Sequence, residues 1–321
     1  MEPSSRRISS LIVAGTLCVS TAPVLIMLTP LEPAIMSAWR MLVTALVMLP
    51  FALVARKQLA TLTRREKHLL PISGVLFGLH FLCFIGAFEF TSFESAVLLL
   101  AMQPIFAAFL AGWILKERTT LGMWIASGVA MIGMGILGWQ DFLKDHEEGG
   151  WNNLIGDALV LLGGVVIVLA IIIGRRVRKK LDFPLYTVVI FGVGGAMNLV
   201  VALALGEGLW PTETSDGWMW LAFLILLPTI GGHNLFNYLV RHVRVFFINL
   251  VILAEPVLSM FMRWLINDAR LGVPEYTTER IVGSLILIVG VFVGLMIRER
   301  KAQEENTNVP HTQIVAALPE P

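Results

Sequence analysis

Residues 98–117 read LLLAMQPIFAAFLAGWILKE, and residues 250–268 read LVILAEPVLSMFMRWLIND. Each is an apolar run of membrane length. Each carries a polar residue and a proline near its middle, Gln103-Pro104 in the first and Glu255-Pro256 in the second. A proline inside a helix leaves a carbonyl without its partner, and hydrocarbon holds no water to satisfy it. A polar side chain at that depth is costly and faces a cavity or a partner. The same misfit recurs 152 residues later. That recurrence implies a duplicated chain whose halves place interrupted helices around one central site, as secondary carriers do.

The composition agrees. The chain has 321 residues, 56% of them hydrophobic and 15% charged, with mean hydropathy +0.78. Soluble domains carry about a quarter charged residues. The formal net charge of +1 gives no basic field for nucleic acid. Cys18 and Cys83 both fall in apolar runs, so neither a disulfide framework nor a metal spacing is present. The six histidines are scattered and form no metal-ligand cluster, and no cofactor is expected.

Ten segments are long and apolar enough to span: 9–28, 33–54, 70–90, 94–115, 119–139, 153–173, 184–206, 217–240, 245–266 and 279–297. The first follows Arg6-Arg7 like a signal peptide, but it is long and lacks a small-residue cleavage site, so it reads as an uncleaved span. Lys and Arg gather in alternate connections, notably 56–67, 116–118, 175–180 and 241–244. The intervening connections carry acids instead, such as Asp141, Glu147, Glu207 and Asp216. By the positive-inside rule the chain is a multi-pass protein of the cell (inner or plasma) membrane with both termini cytoplasmic. Trp139, Trp151, Trp210, Trp218, Trp220 and Trp264 fall near the ends of spans opposite the basic connections, as an interfacial belt would.

The expected fold is therefore an all-α polytopic membrane protein, ten transmembrane helices arranged as two inverted five-helix repeats. An odd number of spans per repeat reverses the polarity of the second copy. The expected organisation is a cytoplasmic N-terminus (1–8), a first repeat (9–139), an extracytoplasmic acidic linker (140–152), a second repeat (153–297) and a disordered cytoplasmic tail (298–321).

These phrases resemble the drug/metabolite transporter superfamily, specifically the EamA-like permeases. SAWRMLVTAL (37–46) and the stretch 78–120 are similar to that family's second to fourth spans. IGDALVLLGG (155–164), IIIGRRVRKKLDFPLY (171–186) and the stretch 227–261 are similar to its sixth to ninth. The resemblance implies a permease and leaves the substrate open, since members move amino acids, nucleotide-linked sugars, drugs and other metabolites. Glu117 supplies the acid with which the family's fourth span usually ends. The matching place in the second half reads Ile266-Asn267-Asp268, so either Asp268 replaces that acid or the outer gate differs.

Several polar residues fall inside the spans. His80 reads either as a cavity-lining, titratable group or as a neutral hydrogen-bonded contact between helices. Glu89 lies nine residues further, about 2.5 turns, on the opposite face and near the interface. His233 and Asn237, four residues apart, share a face, with Asn234 adjacent. This stripe reads as a substrate surface or as interhelical glue. Glu255 is the strongest candidate for binding a proton or a cationic group. Gln103 is its uncharged counterpart. Arg40 requires a carboxylate, a carbonyl or an anionic ligand. Asp157 begins span six and reads as its cap or as a residue facing the outer vestibule, with capping favoured, and Asn249 is expected to serve a helix contact. Gly290 and Gly294 form a small-xxx-small pattern suited to close helix packing, in a monomer or a homodimer.

The functional expectation is alternating-access transport, in the export direction, of a small polar or amphipathic metabolite, with protons as an optional coupling ion. His80, Gln103, Pro104, His233, Asn234, Asn237, Glu255 and Pro256 would form the binding site, and Glu255, Glu89, Arg40 and Asp157 would supply coupling or structural charge. No catalytic residues and no metal are expected. A membrane-embedded enzyme acting on a lipid-like substrate would need a convergent nucleophile and base that the sequence does not display. A channel is the other alternative.

Overall fold

The computed structural model describes residues 5–100, 102–117, 119–211, 216–266, 268–271 and 277–307. Among the described residues, ten helical segments are long and apolar enough to cross a membrane. Span one consists of α1 (Ser5–Val19) and α2 (Ala22–Leu28), and span two of α3 (Pro33–Ala55). Span three is α4 (Arg64–Ala87), started by a capping box in which Thr63 and Glu66 exchange side-chain and backbone hydrogen bonds. Span four is two helices, α5 (Phe93–Leu100) and α6 (Gln103–Leu115). Span five is α7 (Leu121–Gly149), span six α8 (Trp151–Val177) and span seven α9 (Phe183–Leu205). Span eight runs from α10 (Asp216–Leu224) through a π-helical stretch, Ile225–His233, to α11 (Asn234–Leu239). Span nine is again split, into α12 (Val245–Ile252) and α13 (Glu255–Ile266), and span ten is α14 (Thr278–Thr307).

The packing carries the signature of an inverted repeat. Span two lies against span seven, span four against nine, and span five against ten, each meeting its own counterpart. The crossing of span three on span six is mirrored by that of span eight on span one. The repeats are accordingly interlaced. One apolar core centres on spans two, three, six and seven, including Met41, Phe77, Val160 and Phe191, and takes in Leu25 of span one, Leu100 of span four and Leu224 of span eight. The other joins spans one, five, eight, nine and ten, including Ile12, Met134, Leu239, Val251 and Leu287. Each core draws on both halves of the sequence.

Glycines permit two of the closest crossings. A Cβ on Gly78 would meet Gly194 of α9 at 2.8 Å, too close for any real side chain. A Cβ on Gly290 would drive into Ala130 of α7. The small-residue pattern of span ten therefore serves a contact within the chain. Large apolar side chains such as Phe51, Trp113, Phe109 and Phe292 stand exposed on the outer surface. Lipid satisfies such a surface where water would not.

The structure departs from the sequence reading in three places. The stretch 140–149, expected to belong to an acidic linker, is the last part of α7, because the helix continues past the apolar run. The polar residues 298–307 likewise extend α14, where disorder was expected. Residues 308–321 of the tail lie outside the described residues. Asp157 does not cap its helix. That helix begins at Trp151 after Gly150, and Asp157 sits within it, accepting a hydrogen bond from Thr91 Oγ1 at 3.0 Å.

Candidate functional site

The two prolines explain the breaks in spans four and nine. Proline lacks an N–H and fits the first turn of a helix, where that group has no partner in any case. Pro104 and Pro256 each follow the first residue of a half-helix, Gln103 in α6 and Glu255 in α13. Restarting the helix there removes the conflict that a proline in mid-span creates. Ile105 and Phe106 N–H both donate to the Met102 carbonyl at 3.1 Å, closing the new turn. All four residues of the two dipeptides are buried.

The restarts turn Gln103 and Glu255 towards one central cavity. Spans one to four and six to nine all line it, whereas spans five and ten pair with each other away from it. The free space is about 50 Å³, room for a few water molecules. The cavity therefore has to widen to hold a metabolite, whose usual pocket is several hundred Å³.

One wall is aromatic. The rings of Phe77 and Phe81 on α4 meet edge to face at 5.8 Å, and both contact Phe191 of α9. His80 and His233 join this cluster, their centroids 6.3 Å apart. The His80 Nδ1–H donates to the Gly163 carbonyl of α8 at 3.0 Å. A carbonyl can only accept, so this bond fixes the tautomer of a neutral ring and leaves Nε2 as its acceptor. His233 lies at the end of the π-helical stretch, with its ring 4.8 Å from that of Phe81. π-Helical turns of this kind gather at functional sites.

Arg40 enters from α3. It is 1% exposed, and its Nε donates to Thr229 Oγ1 at 3.1 Å. Thr229 in turn donates to the Leu224 carbonyl five residues back, a bond that the wide π turn permits. The Arg40 guanidinium carbon lies 4.4 Å from the Phe81 ring centroid. One terminal nitrogen, Nη2, is buried without a hydrogen-bond partner. Glu255 also lines the cavity, close enough for the two charges to act on each other, yet no ion pair joins them. Gln103 Oε1 and Asn237 Nδ2 are buried and unpartnered as well.

The remaining expected site residues lie elsewhere. Asn234 is buried with both amide atoms unpartnered and is not part of the cavity wall. Asn249 donates to the Val245 carbonyl of its own helix at 2.8 Å. Glu89 is exposed in the turn after α4. Its carboxyl is held above the usual carboxylate range, first by partial desolvation and then by the charges of Glu207 and Glu32. Asp268 pairs with Arg270 at 2.8 Å, and hydrogen bonds from that arginine lower its carboxyl to about 2.

Three features of the site have no clear signal in the sequence. Thr229 and Tyr186 look like ordinary span residues, yet one holds Arg40 and the other lines the cavity, its hydroxyl 3.2 Å from Ser73 Oγ. The basic run 175–180 reads as a topogenic loop, but Arg178 is 2% exposed. Its Nε donates to the Asn237 carbonyl at 3.1 Å, and its Nη1 to the Leu181 carbonyl. Arg175 pairs with Glu117 at 2.7 Å and donates to the Val240 and Val243 carbonyls. The two arginines tie the end of span six to spans four and eight at the basic end of the bundle. Their bonds fall beside Asn237 and Val240, which line the cavity at that end.

Comparison with known proteins covers most of the chain. The EamA-like transporter family matches residues 7–139 and 154–296. The uncharacterized transporter YyaM of Bacillus subtilis is 25% identical over 264 residues, 81% of this chain and 83% of its own. YdfC of the same organism, also an uncharacterized transporter, is 27% identical over 73% of this chain and 74% of its own. The riboflavin transporter ImpX of Fusobacterium nucleatum is 23% identical over 65% of this chain and 70% of its own. A solved crystal structure with 14% sequence identity shares the fold, with a TM-score of 0.73 over 92% of this chain and 99% of that one.

Proposed function

The chain belongs to the EamA-like transporter family, and on that premise we propose that it exports a small polar or amphipathic metabolite by alternating access around the Gln103–Glu255 cavity. The observation that carries this reading is the pair of interrupted helices. Counterpart spans of the two repeats restart at a polar residue that faces one buried space. A site built from both repeats is what an exchange of conformations between inverted halves requires. His80, His233 and Asn237 form the rest of the proposed binding surface, and both termini are assigned to the cytoplasm of a cell membrane from the basic connections.

Glu255 is the proposed proton carrier. The titratable and charged groups that face it across the cavity are Arg40 from α3, His80 from α4, Tyr186 from α9 and His233 from span eight. A carboxylate that accepts a proton in one conformation and releases it in the other couples flux to a pH gradient.

The test is counterflow in liposomes, with hits from a thermal-shift screen of metabolites. Riboflavin joins that panel because one relative is named as its transporter. A carrier accelerates labelled uptake when unlabelled substrate is preloaded. Flux that preloading leaves unchanged indicates a channel, and a chemically altered product indicates an enzyme. Either outcome overturns the reading.

A further inference from the structure

A guanidinium buried to 99% needs its donors occupied, because an unpaired charge out of water is strongly unfavourable. Arg40 uses Nε on Thr229 and rests its face on Phe81, and Nη2 remains unpartnered. The carboxylate that would quench it, Glu255, lines the same cavity and makes no ion pair with it. Beside the guanidinium stands an apolar surface formed by Phe77, Phe81 and Phe84. The cavity thus offers one free cationic donor next to aromatic rings.

We propose that the transported molecule is an amphipathic organic anion, its acidic group held by Arg40 and its apolar body laid against Phe77, Phe81 and Phe84. This assignment rests on the transport reading above and names the substrate class of that same cavity. A single guanidinium balances a single negative charge, which favours a carboxylate over a phosphate dianion. The planar fork of Arg suits a carboxylate better than the point charge of Lys does. A seated anion places a second acid beside Glu255, so the arginine balances both only when one of them holds a proton.

Three probes with one body and different heads test the assignment: 3-phenylpropionate, 3-phenylpropylamine and 3-phenylpropanol. In thermal-shift titrations of the purified full chain, the acid is expected to stabilise the protein at concentrations at least tenfold below the alcohol or the amine. That ratio corresponds to about 1.4 kcal/mol, at the lower edge of a charge-assisted hydrogen bond. Arg40→Gln should remove the preference, and Arg40→Lys should restore part of it, which a merely structural arginine would not do. Equal potency of the three probes, preference for the amine, or no response to any of them overturns the proposal, and these measurements on the unaltered chain stand even where an Arg40 variant misfolds. Counterflow with labelled 3-phenylpropionate separates the two readings. An acid preference in binding without counterflow sinks transport and leaves the anion site. Counterflow of the neutral or cationic probe without acid preference sinks the anion site and leaves transport.

Discussion

The rings of His80 and His233 meet edge to face, with 70° between their planes, although the residues belong to different repeats. They stand at nearly equivalent places in span three and span eight, so the inverted symmetry brings them together at the cavity. His233→Ala and Asn237→Ala are each expected to raise the substrate concentration for half-maximal counterflow by about tenfold, the cost of one hydrogen bond at a desolvated site. Melting temperatures should stay near that of the parent chain. Unchanged affinity in both variants would return this stripe to a structural role.

Glu255→Gln keeps the shape of the side chain and removes its proton chemistry. Accumulation driven by an imposed pH gradient should disappear in liposomes, while counterflow at equal pH persists. Gradient-driven accumulation at the parental rate would show that another group carries the proton.

Arg178→Ala should loosen the basic end of the bundle, because the Asn237 carbonyl loses its donor. A cysteine placed at Val240, in a chain with Cys18 and Cys83 changed to Ser, should react with a membrane-impermeant maleimide several-fold faster in the Arg178→Ala background. Equal labelling rates would mean that this tie does not close the cavity.

Gly290→Leu should destabilise the α7–α14 contact, since even a Cβ at that position collides with Ala130. Overpacking of this kind costs about 1–3 kcal/mol. A clear fall in melting temperature is expected, with no gain or loss of a dimer by size exclusion.

Glu89→Gln should stabilise the protein at neutral pH and not at acid pH. The Glu89 carboxyl is raised in the fold, so whatever stability its protonated form contributes is complete below the ordinary carboxylate range and is lost as pH rises through the raised value. The amide removes that loss. Melting curves at pH 4 and pH 7 measure it, and equal shifts at the two values would show that the raised carboxyl does not govern the effect.

The membrane fold was legible because its causes are local. Hydrocarbon requires long apolar helices, so spans such as 33–54 and 184–206 announce themselves. The repeated Gln103-Pro104 and Glu255-Pro256 marked the places where two helices restart, since proline interrupts a helix wherever it falls. Where helices end was less legible, because polar residues such as those at 298–307 form helix as readily as they form coil. The company that each polar side chain keeps was not legible at all. Sequence spacing places His233 and Asn237 on one face, but nothing local says that Thr229 holds Arg40, that Arg178 ties span six to span eight, or that Asp157 meets Thr91 inside its helix. Those contacts join residues far apart in the chain and depend on how straight each helix is. Topology makes the crossing of span three on span six equivalent to that of span eight on span one. The backbone makes them unequal, because the first is two regular helices and the second joins a broken helix to a π-helical stretch. The sequence alone determined the number of spans, their inverted duplication and the breaks at Gln103-Pro104 and Glu255-Pro256, through the cost of placing backbone and charge in lipid. Only the tertiary structure decided which buried groups face one another across the cavity and which are left without a partner, because packing between distant helices sets those distances.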